Sequence, residues 1–336
     1  MITIWMIVAF VFRFCAIVLQ NARIYILKRT FSMDTTHHFN NKIKGIMFII
    51  LTAFCFAVMN IFVRLSGPRI PSIQKSFFRN VVALVFAFFI LLKEPEGFKN
   101  PKRNLSLIIG RSLFGTIGLI CNFYAVDHLI ISDASLLNKL STFYVLIFSY
   151  IFLKEKVKPY QWLCICIAFA GALLVIKPTF HNADISSSIV GFVGGVSAGM
   201  AHTFVRALTK KGESKSRIVF AFSLFSCVAT LPLFIFDFVP MKINELSLLL
   251  LAGLAACGGQ YCLTTAYSYA PAKEISIFDY SQIIFAAILG FMFFGEIPDL
   301  YSFIGYFVII IAAIMMFLID NKHVEVASNA KVACTK

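Results

Sequence analysis

Ten blocks of apolar residues, each about 20 residues long, alternate with short polar segments along most of the chain. A helix rises 1.5 Å per residue, so about 20 apolar residues cross a hydrocarbon core of about 30 Å. The blocks lack the polar and apolar alternation of outer-membrane strands, which favours helices. The pattern therefore predicts an all-α integral membrane protein with spans at residues 45–65, 74–92, 105–126, 134–153, 159–177, 187–208, 216–236, 247–269, 275–294 and 300–319.

Composition and charge change this picture in one respect, the orientation. The chain is 60% hydrophobic and 14% charged, against about 25% charged residues in a soluble domain. Its net charge of +14 resides mainly in alternate short loops, the positive-inside pattern. We expect a multi-pass protein of the cell (inner) membrane, with the lipid bilayer and no nucleic acid as a partner. Both ends of the ten-span core, and the tail at 321–336, are predicted to be cytoplasmic, because the basic loops hold Lys93, Lys99, Lys102, Arg103, Lys154, Lys156, Lys158, Lys210, Lys211, Lys215 and Arg217.

An eleventh apolar block lies at residues 2–19 and is interrupted by Arg13. No positive segment precedes it, so it makes a poor signal peptide. Residues 1–41 are read as an N-terminal extension with two alternatives. In the first, the block forms an extra spanning or amphipathic helix. In the second, residues 1–32 lie upstream of the true start, which is Met33 at the head of a polar run.

Two halves of the core are similar to each other. An offset of 141 residues maps the third to fifth spans onto the eighth to tenth without a gap, matching Gly118 with Gly259, Cys121 with Cys262, Ser135 with Ser276, Asn138 with Asp279, Lys139 with Tyr280 and Glu155 with Glu296. An offset of 142 maps the first span onto the sixth, with Arg64 on Arg206. Five spans is an odd number, so repeats at 42–178 and 185–320 insert in opposite orientations. Such inverted repeats predict alternating access.

Residues 42–320 resemble the drug/metabolite transporter superfamily, EamA type. The resemblance rests on the plan of five plus five spans, on Arg79 in KSFFRNVVALVF, and on the glutamates of FLKEKV and FFGEIP that close the fourth and ninth spans. The second half departs from it, since no basic residue matches Arg79. The resemblance implies a ten-helix secondary transporter of small organic metabolites, such as amino acids or vitamins like riboflavin. It does not specify the substrate.

Polar residues deep inside the spans are the candidate site. A substrate site is expected near the midplane, between the halves, and buried ionisable groups are costly unless they serve a function. Counted along straight helices, Lys139 and Asp279 fall on opposite sides of the midplane, whereas Arg111 lies at the depth of Asp279. We therefore predict an Arg111–Asp279 charge pair, with Lys139 as a positive group for an anionic or zwitterionic substrate. The predicted substrate-binding residues are Lys139, Asn138, Asn60, His202, Tyr280, Gln282 and Tyr144.

Several of these residues have a structural alternative. Asn, Gln and Tyr commonly form hydrogen bonds across helix interfaces, where each contributes about 1 kcal/mol. His202 could relay a proton, because its unperturbed pKa is near 6.5, or could be a neutral packing residue. Gly191, Gly195 and Gly199 lie on one face of the sixth span and favour close packing within the fold; a sliding surface and a homodimer contact are the alternatives.

Other classes of protein leave weaker signals. His128 and Asp133 spell HxxxxD, in which the histidine could act as a base and the aspartate could orient it in a membrane-embedded enzyme, as in glycerolipid acyltransferases, but the motif lies in a short loop. A channel is a second alternative. The chain has no GxxxxGK[ST] motif, so nucleotide hydrolysis is not expected. All cysteines but Cys334 fall in apolar blocks without a CxxC pair, so no metal site or cofactor is predicted. We favour a transporter, not an enzyme, with a small-molecule substrate.

Overall fold

The computed structural model describes residues 34–94, 104–129, 131–177, 185–295 and 297–334. Within this part of the chain, ten helical spans are long and apolar enough to cross a membrane. The ten predicted spans are thereby confirmed. The apolar block at 2–19 and the proposed start at Met33 lie outside the described residues, so both alternatives for the N-terminus stay predictions.

Eight spans are continuous helices, and two are broken. The continuous ones are Asp34–Leu65, Ser72–Lys93, Leu105–His128, Pro159–Ile176, Ile185–Lys210, Lys215–Phe236, Ile243–Tyr269 and Leu300–Cys334. The fourth span consists of helices Ile131–Lys139 and Ser141–Leu153. The ninth consists of Ala272–Ile275, a 3₁₀ helix Ser276–Tyr280, and Ser281–Phe294. The tenth helix also continues through most of the predicted tail.

The packing of the spans follows the internal repeat. The first span packs along the eighth, and its repeat equivalent, the sixth, packs along the third. The fourth lies against the sixth just as the ninth lies against the first. The second packs on the seventh and the fifth on the tenth, and each of these pairs joins equivalent spans. The prediction of two inverted five-helix repeats is therefore confirmed.

Glycines determine where two spans approach most closely. A Cβ atom on Gly118 would lie 3.0 Å from the Ala198 nitrogen, between the third and sixth spans. One on Gly171 would lie 2.9 Å from the carbonyl oxygen of Gly305, between the fifth and tenth. Lipid tails are as apolar as side chains, so helices in a bilayer associate through such close van der Waals packing.

The glycine face of the sixth span packs against the broken fourth span. A Cβ atom on Gly191 would lie 2.7 Å from Leu137, one on Gly195 would overlap the Leu137 carbonyl oxygen, and one on Gly199 would lie 2.5 Å from the Tyr144 Cβ. Packing within the fold, the first of the three alternatives, is therefore what these glycines do.

Candidate functional site

The breaks of the fourth and ninth spans occur at equivalent positions. The fourth span is interrupted at Leu140, and the ninth resumes as an α-helix at Ser281, 141 residues later. In the ninth, the Ser276 hydroxyl donates to the Ala272 carbonyl oxygen (2.5 Å) and that of Ser281 to Phe278 (2.6 Å). Such local bonds compete with regular helix geometry. Half-helices that meet inside the membrane are the usual framework of transporter binding sites.

An ion pair joins the two breaks. The Lys139 ammonium donates to the Asp279 carboxylate at 2.9 Å, and the exposed fractions of the two side chains are 12% and 22%. It also donates to the backbone carbonyl of Asp279 (3.3 Å) and to the side-chain oxygen of Gln282 (2.7 Å). The same lysine therefore binds one residue from each side of the ninth-span break, which connects the two repeats directly.

The predicted Arg111–Asp279 pair is wrong, and so is the predicted separation of Lys139 from Asp279. The depth estimate assumed straight α-helices beginning at residues 134 and 275. The helices begin earlier, at Ile131 and Ala272, and the 3₁₀ segment rises about 2.0 Å per residue. Counted from these helix starts, both residues lie about 12 Å along their spans, against a core of about 30 Å. A lysine side chain spans the remaining gap.

Arg111 instead contacts neutral groups. Its exposed fraction is 4%, its guanidinium donates to the Gln260 side-chain oxygen (3.1 Å), and it lies 4.1 Å from the centre of the Phe222 ring. Gly115 provides the space, because a Cβ there would overlap the guanidinium. The stacking is a cation–π contact between the third and seventh spans.

His202 is linked electrostatically both to Arg111 and to the ion pair. Its half-buried imidazole interacts electrostatically with Arg111, Asp279 and Lys139. Its ring centre is 6.0 Å from that of Tyr267. The structure thus places His202, Lys139, Asp279, Gln282 and Arg111 in one polar interior.

The other predicted site residues have different surroundings. Tyr280 has an exposed fraction of 0% and belongs to the hydrophobic core, so it has no free surface for a ligand in this conformation. Tyr144 packs on Gly199, with its ring 5.8 Å from that of Phe192. Asn138 and Asn60 are exposed. Their roles in substrate binding stay predictions.

Two buried ionic clusters were missed by sequence reasoning. Both lie at the end of the bundle that carries the loop 154–158. In the first, Arg206 donates to Glu155 (3.0 Å) and to the Tyr267 carbonyl oxygen (2.7 Å), which joins the sixth span to the fourth and eighth. Glu155 and Arg206 both belong to motifs that are duplicated in the two halves. This duplication marks both residues in the sequence, but it does not indicate that they form a pair.

The second cluster surrounds Asp320 near the end of the tenth span. Lys42 binds its carboxylate at 3.0 Å, with exposed fractions of 3% and 7% for the two side chains. Tyr160 and Gln161 from the fifth span donate to the other oxygen. Together the two clusters link six spans at this end of the bundle.

The acyltransferase alternative finds no support in the surroundings of His128. The exposed imidazole has its Nδ1 2.9 Å from the Tyr124 carbonyl oxygen and stacks on the Tyr124 ring, 4.0 Å between centres. The Asp133 side chain lies outside what the structure describes. The fold is that of a multi-pass membrane protein with a charged interior, the class to which secondary transporters belong.

Comparison with known proteins specifies the class. The model of the EamA-like transporter family matches residues 43–177 and again 185–318. The chain belongs to the EamA-like transporter family, and it is a transporter, not an enzyme.

Individual relatives are transporters by name. The chain is 30% identical to the pseudopaline exporter CntI of Pseudomonas aeruginosa over 273 residues, which is 81% of this chain and 95% of that one. It is 27% identical to the mouse solute carrier family 35 member G1, covering 80% and 76% of the two chains. It is 22% identical to an S-adenosylmethionine uptake transporter of Rickettsia bellii, covering 83% and 94%.

A solved crystal structure has the same fold. It superposes with a TM-score of 0.68 at 12% identity and covers 83% of this chain and 98% of that chain. At this identity the likeness concerns the fold alone.

Proposed function

We propose that the protein is a secondary active transporter that moves a small zwitterionic or anionic organic metabolite across the cell membrane by alternating access. The observation that carries the proposal is the Lys139–Asp279 ion pair at the breaks of two repeat-related spans. A charge at the bilayer centre costs about 2.5–3.5 kcal/mol even on scales derived from membrane insertion. An ion pair retained there is therefore best explained by function.

The pair suggests how the site is loaded and emptied. Lys139 offers an ammonium to a substrate carboxylate, and Asp279 offers a carboxylate to a substrate ammonium. A zwitterion can replace both partners without leaving an unpaired charge, which would otherwise cost about 3–5 kcal/mol. After release, Lys139 and Asp279 pair again, so the empty site stays neutral while the halves move.

The two clusters at one end support alternating access. Arg206–Glu155 and Lys42–Asp320 join spans at that end, which the positive-inside pattern predicts to be cytoplasmic, and we propose that they close it in this conformation. The inverted repeats allow a second conformation in which the opposite end closes. The relatives include both an exporter and an uptake transporter, so family membership does not set the direction.

Counterflow in proteoliposomes tests the proposal. Vesicles are loaded with an unlabelled compound at millimolar concentration and given the same labelled compound outside at a trace level. The panel comprises amino acids, riboflavin and S-adenosylmethionine. A carrier gives saturable uptake with a transient accumulation above equilibrium for its substrate.

The variants make the test specific to the ion pair. Lys139→Ala should lower counterflow by about tenfold to 100-fold, whereas Lys177→Gln, which removes the exposed partner of Asp299, should retain it. Flux that does not saturate and shows no counterflow would mean a channel. Undiminished counterflow in Lys139→Ala would overturn the role of the pair.

A further inference from the structure

Two arginines in the second and third spans have no carboxylate partner in the described part of the chain. Arg111 is buried, and its hydrogen bond and its ring contact are both with neutral side chains, Gln260 and Phe222. Arg79, half-buried seven residues into the second span, makes no hydrogen bond or ion pair with any described residue. Elsewhere in the described interior, Lys42, Lys139 and Arg206 each bind an acidic side chain.

The two guanidinium groups also act on each other. An unfavourable electrostatic interaction links Arg79 with Arg111. Each charge is costly in a bilayer, and repulsion adds to that cost. Positive charges without compensation in a membrane interior mark a place where an anion binds, because a bound anion relieves both the desolvation and the repulsion.

Unused hydrogen-bond donors lie on the same side chains and next to them. The Arg111 Nε and the Asn80 Nδ2 are buried and have no acceptor. Both atoms can only donate, so what they lack is an acceptor. A carboxylate offers two oxygens with about four acceptor positions and matches the planar fork of a guanidinium.

The arginines adjoin the site already described. Gln260 and Phe222 hold Arg111, and His202 interacts electrostatically with Arg111 as well as with Lys139 and Asp279. We infer that Arg79 and Arg111 form a carboxylate-binding subsite. The Lys139–Asp279 pair binds one carboxylate and one ammonium of the substrate. The subsite binds a further carboxylate, so the two together select small organic substrates that carry this additional group. The transport part of this inference rests on the proposed function.

Binding of simple carboxylates tests the subsite without transport. The probes are acetate, succinate and citrate, as sodium salts, titrated into the purified full-length protein in nanodiscs at constant ionic strength, with the apparent melting temperature as readout. Ligand that binds the folded state raises this temperature. Succinate or citrate should give a saturable rise in the wild type, and sodium chloride should not.

The variants are Arg79→Gln, Arg111→Gln and the matched control Arg69→Gln. Each Gln variant in the subsite should weaken carboxylate binding about tenfold or more, since hydrogen bonds to charged groups are the strong ones. Arg69 is an exposed arginine that pairs with Glu245 (2.7 Å), and its loss should leave binding unchanged. Arg111→Lys keeps the positive charge but removes the planar guanidinium. Its carboxylate affinity should lie between those of the wild type and Arg111→Gln.

The following results would contradict the proposed subsite. Equal loss in Arg69→Gln, equal binding by the wild type and all three Gln variants, or no carboxylate-specific rise in the wild type would overturn the subsite. Loss in only one of the two subsite variants would overturn it as well. If a Gln variant does not fold, its Lys counterpart is titrated in its place. Carboxylate binding with no counterflow of any compound would leave the subsite standing and overturn the transport proposal.

Discussion

The fourth and ninth spans are equivalent in backbone and different in chemistry. Both break at the same repeat position, yet Lys139 in the fourth corresponds to Tyr280 in the ninth, and Asn138 corresponds to Asp279. Identical charges at both breaks would repel. Because the two halves diverged, one break supplies the cation and the other the anion, and they can bind each other at 2.9 Å. Duplication provides the geometry, and divergence provides the site.

The neighbours of the two breaks differ as well. The sixth span presents Gly191, Gly195 and Gly199 to the fourth, so backbone lies against backbone. The equivalent residues of the first span, beside the ninth, are Ile49, Ala53 and Ala57, all buried. The break that carries the lysine is therefore flanked by glycines, and the one that carries the aspartate by residues with side chains.

The largest effect is expected at the ion pair. Lys139→Ala and Asp279→Asn should each lower counterflow transport by about tenfold to 100-fold. A charged hydrogen bond contributes about 1.5–3 kcal/mol, and each 1.4 kcal/mol is a factor of ten. Initial rates in proteoliposomes measure this, and Lys177→Gln is the control. A wild-type rate in both variants would mean that the pair has no part in transport.

The glycine face should show the next largest effect, on stability. In Gly195→Ala the new methyl overlaps the Leu137 carbonyl oxygen, and overpacking costs about 1–3 kcal/mol. Gly194→Ala is the matched control, since its methyl would lie 3.1 Å from the Cys121 Cβ, and both variants gain the same helix propensity. Unfolding in detergent should show Gly195→Ala to be the less stable variant. Equal stabilities would mean that the fourth span moves aside easily.

Tyr280→Phe tests the repeat counterpart of Lys139. Tyr280 is fully buried, so loss of its hydroxyl should cost at most about 1.5 kcal/mol of stability and change the apparent substrate affinity less than threefold, a factor worth under about 1 kcal/mol. Concentration dependence of counterflow measures the affinity. A tenfold loss would show that Tyr280 becomes accessible in another conformation and binds substrate there.

The smallest effect, on the free energy of unfolding, is expected at the exposed pair Lys177–Asp299. This pair serves as a surface comparison for the interior pair. Hydrogen bonds from Lys177 and Ser302 lower the pKa of Asp299 to about 2, below the unfolded value of about 3.9. The stabilisation is therefore present above about pH 4 and disappears as pH falls through about 2. The stability difference between wild type and Asp299→Asn should stay constant from pH 5 to 8. It should shrink in high salt, because exposed charges are screened.

Periodicity identified the spans because length and hydrophobicity alone decide what can cross a bilayer. It missed both breaks, since Asn138 and Asp279 have ordinary local sequences that a straight helix also tolerates. The error in depth came from helix starts placed too late and from the missed 3₁₀ segment, and it produced the false Arg111–Asp279 pair. Lys139, Asp279, Gln282, His202 and Arg111 could nevertheless be singled out from the sequence, because a polar group inside an apolar span stands out whatever its partner. Their roles in substrate binding stay predictions.

The sequence by itself determined the all-helical membrane fold, the ten spans and the duplication, because these depend on patterns that run along one chain. Only the tertiary structure decided which charges meet. Lys139 and Asp279 are 140 residues apart, and their contact depends on two helix breaks and on how the two halves pack together. Long-range pairing of side chains is a property of packing, and a one-dimensional pattern carries no information about which of several buried charges lies across the interface.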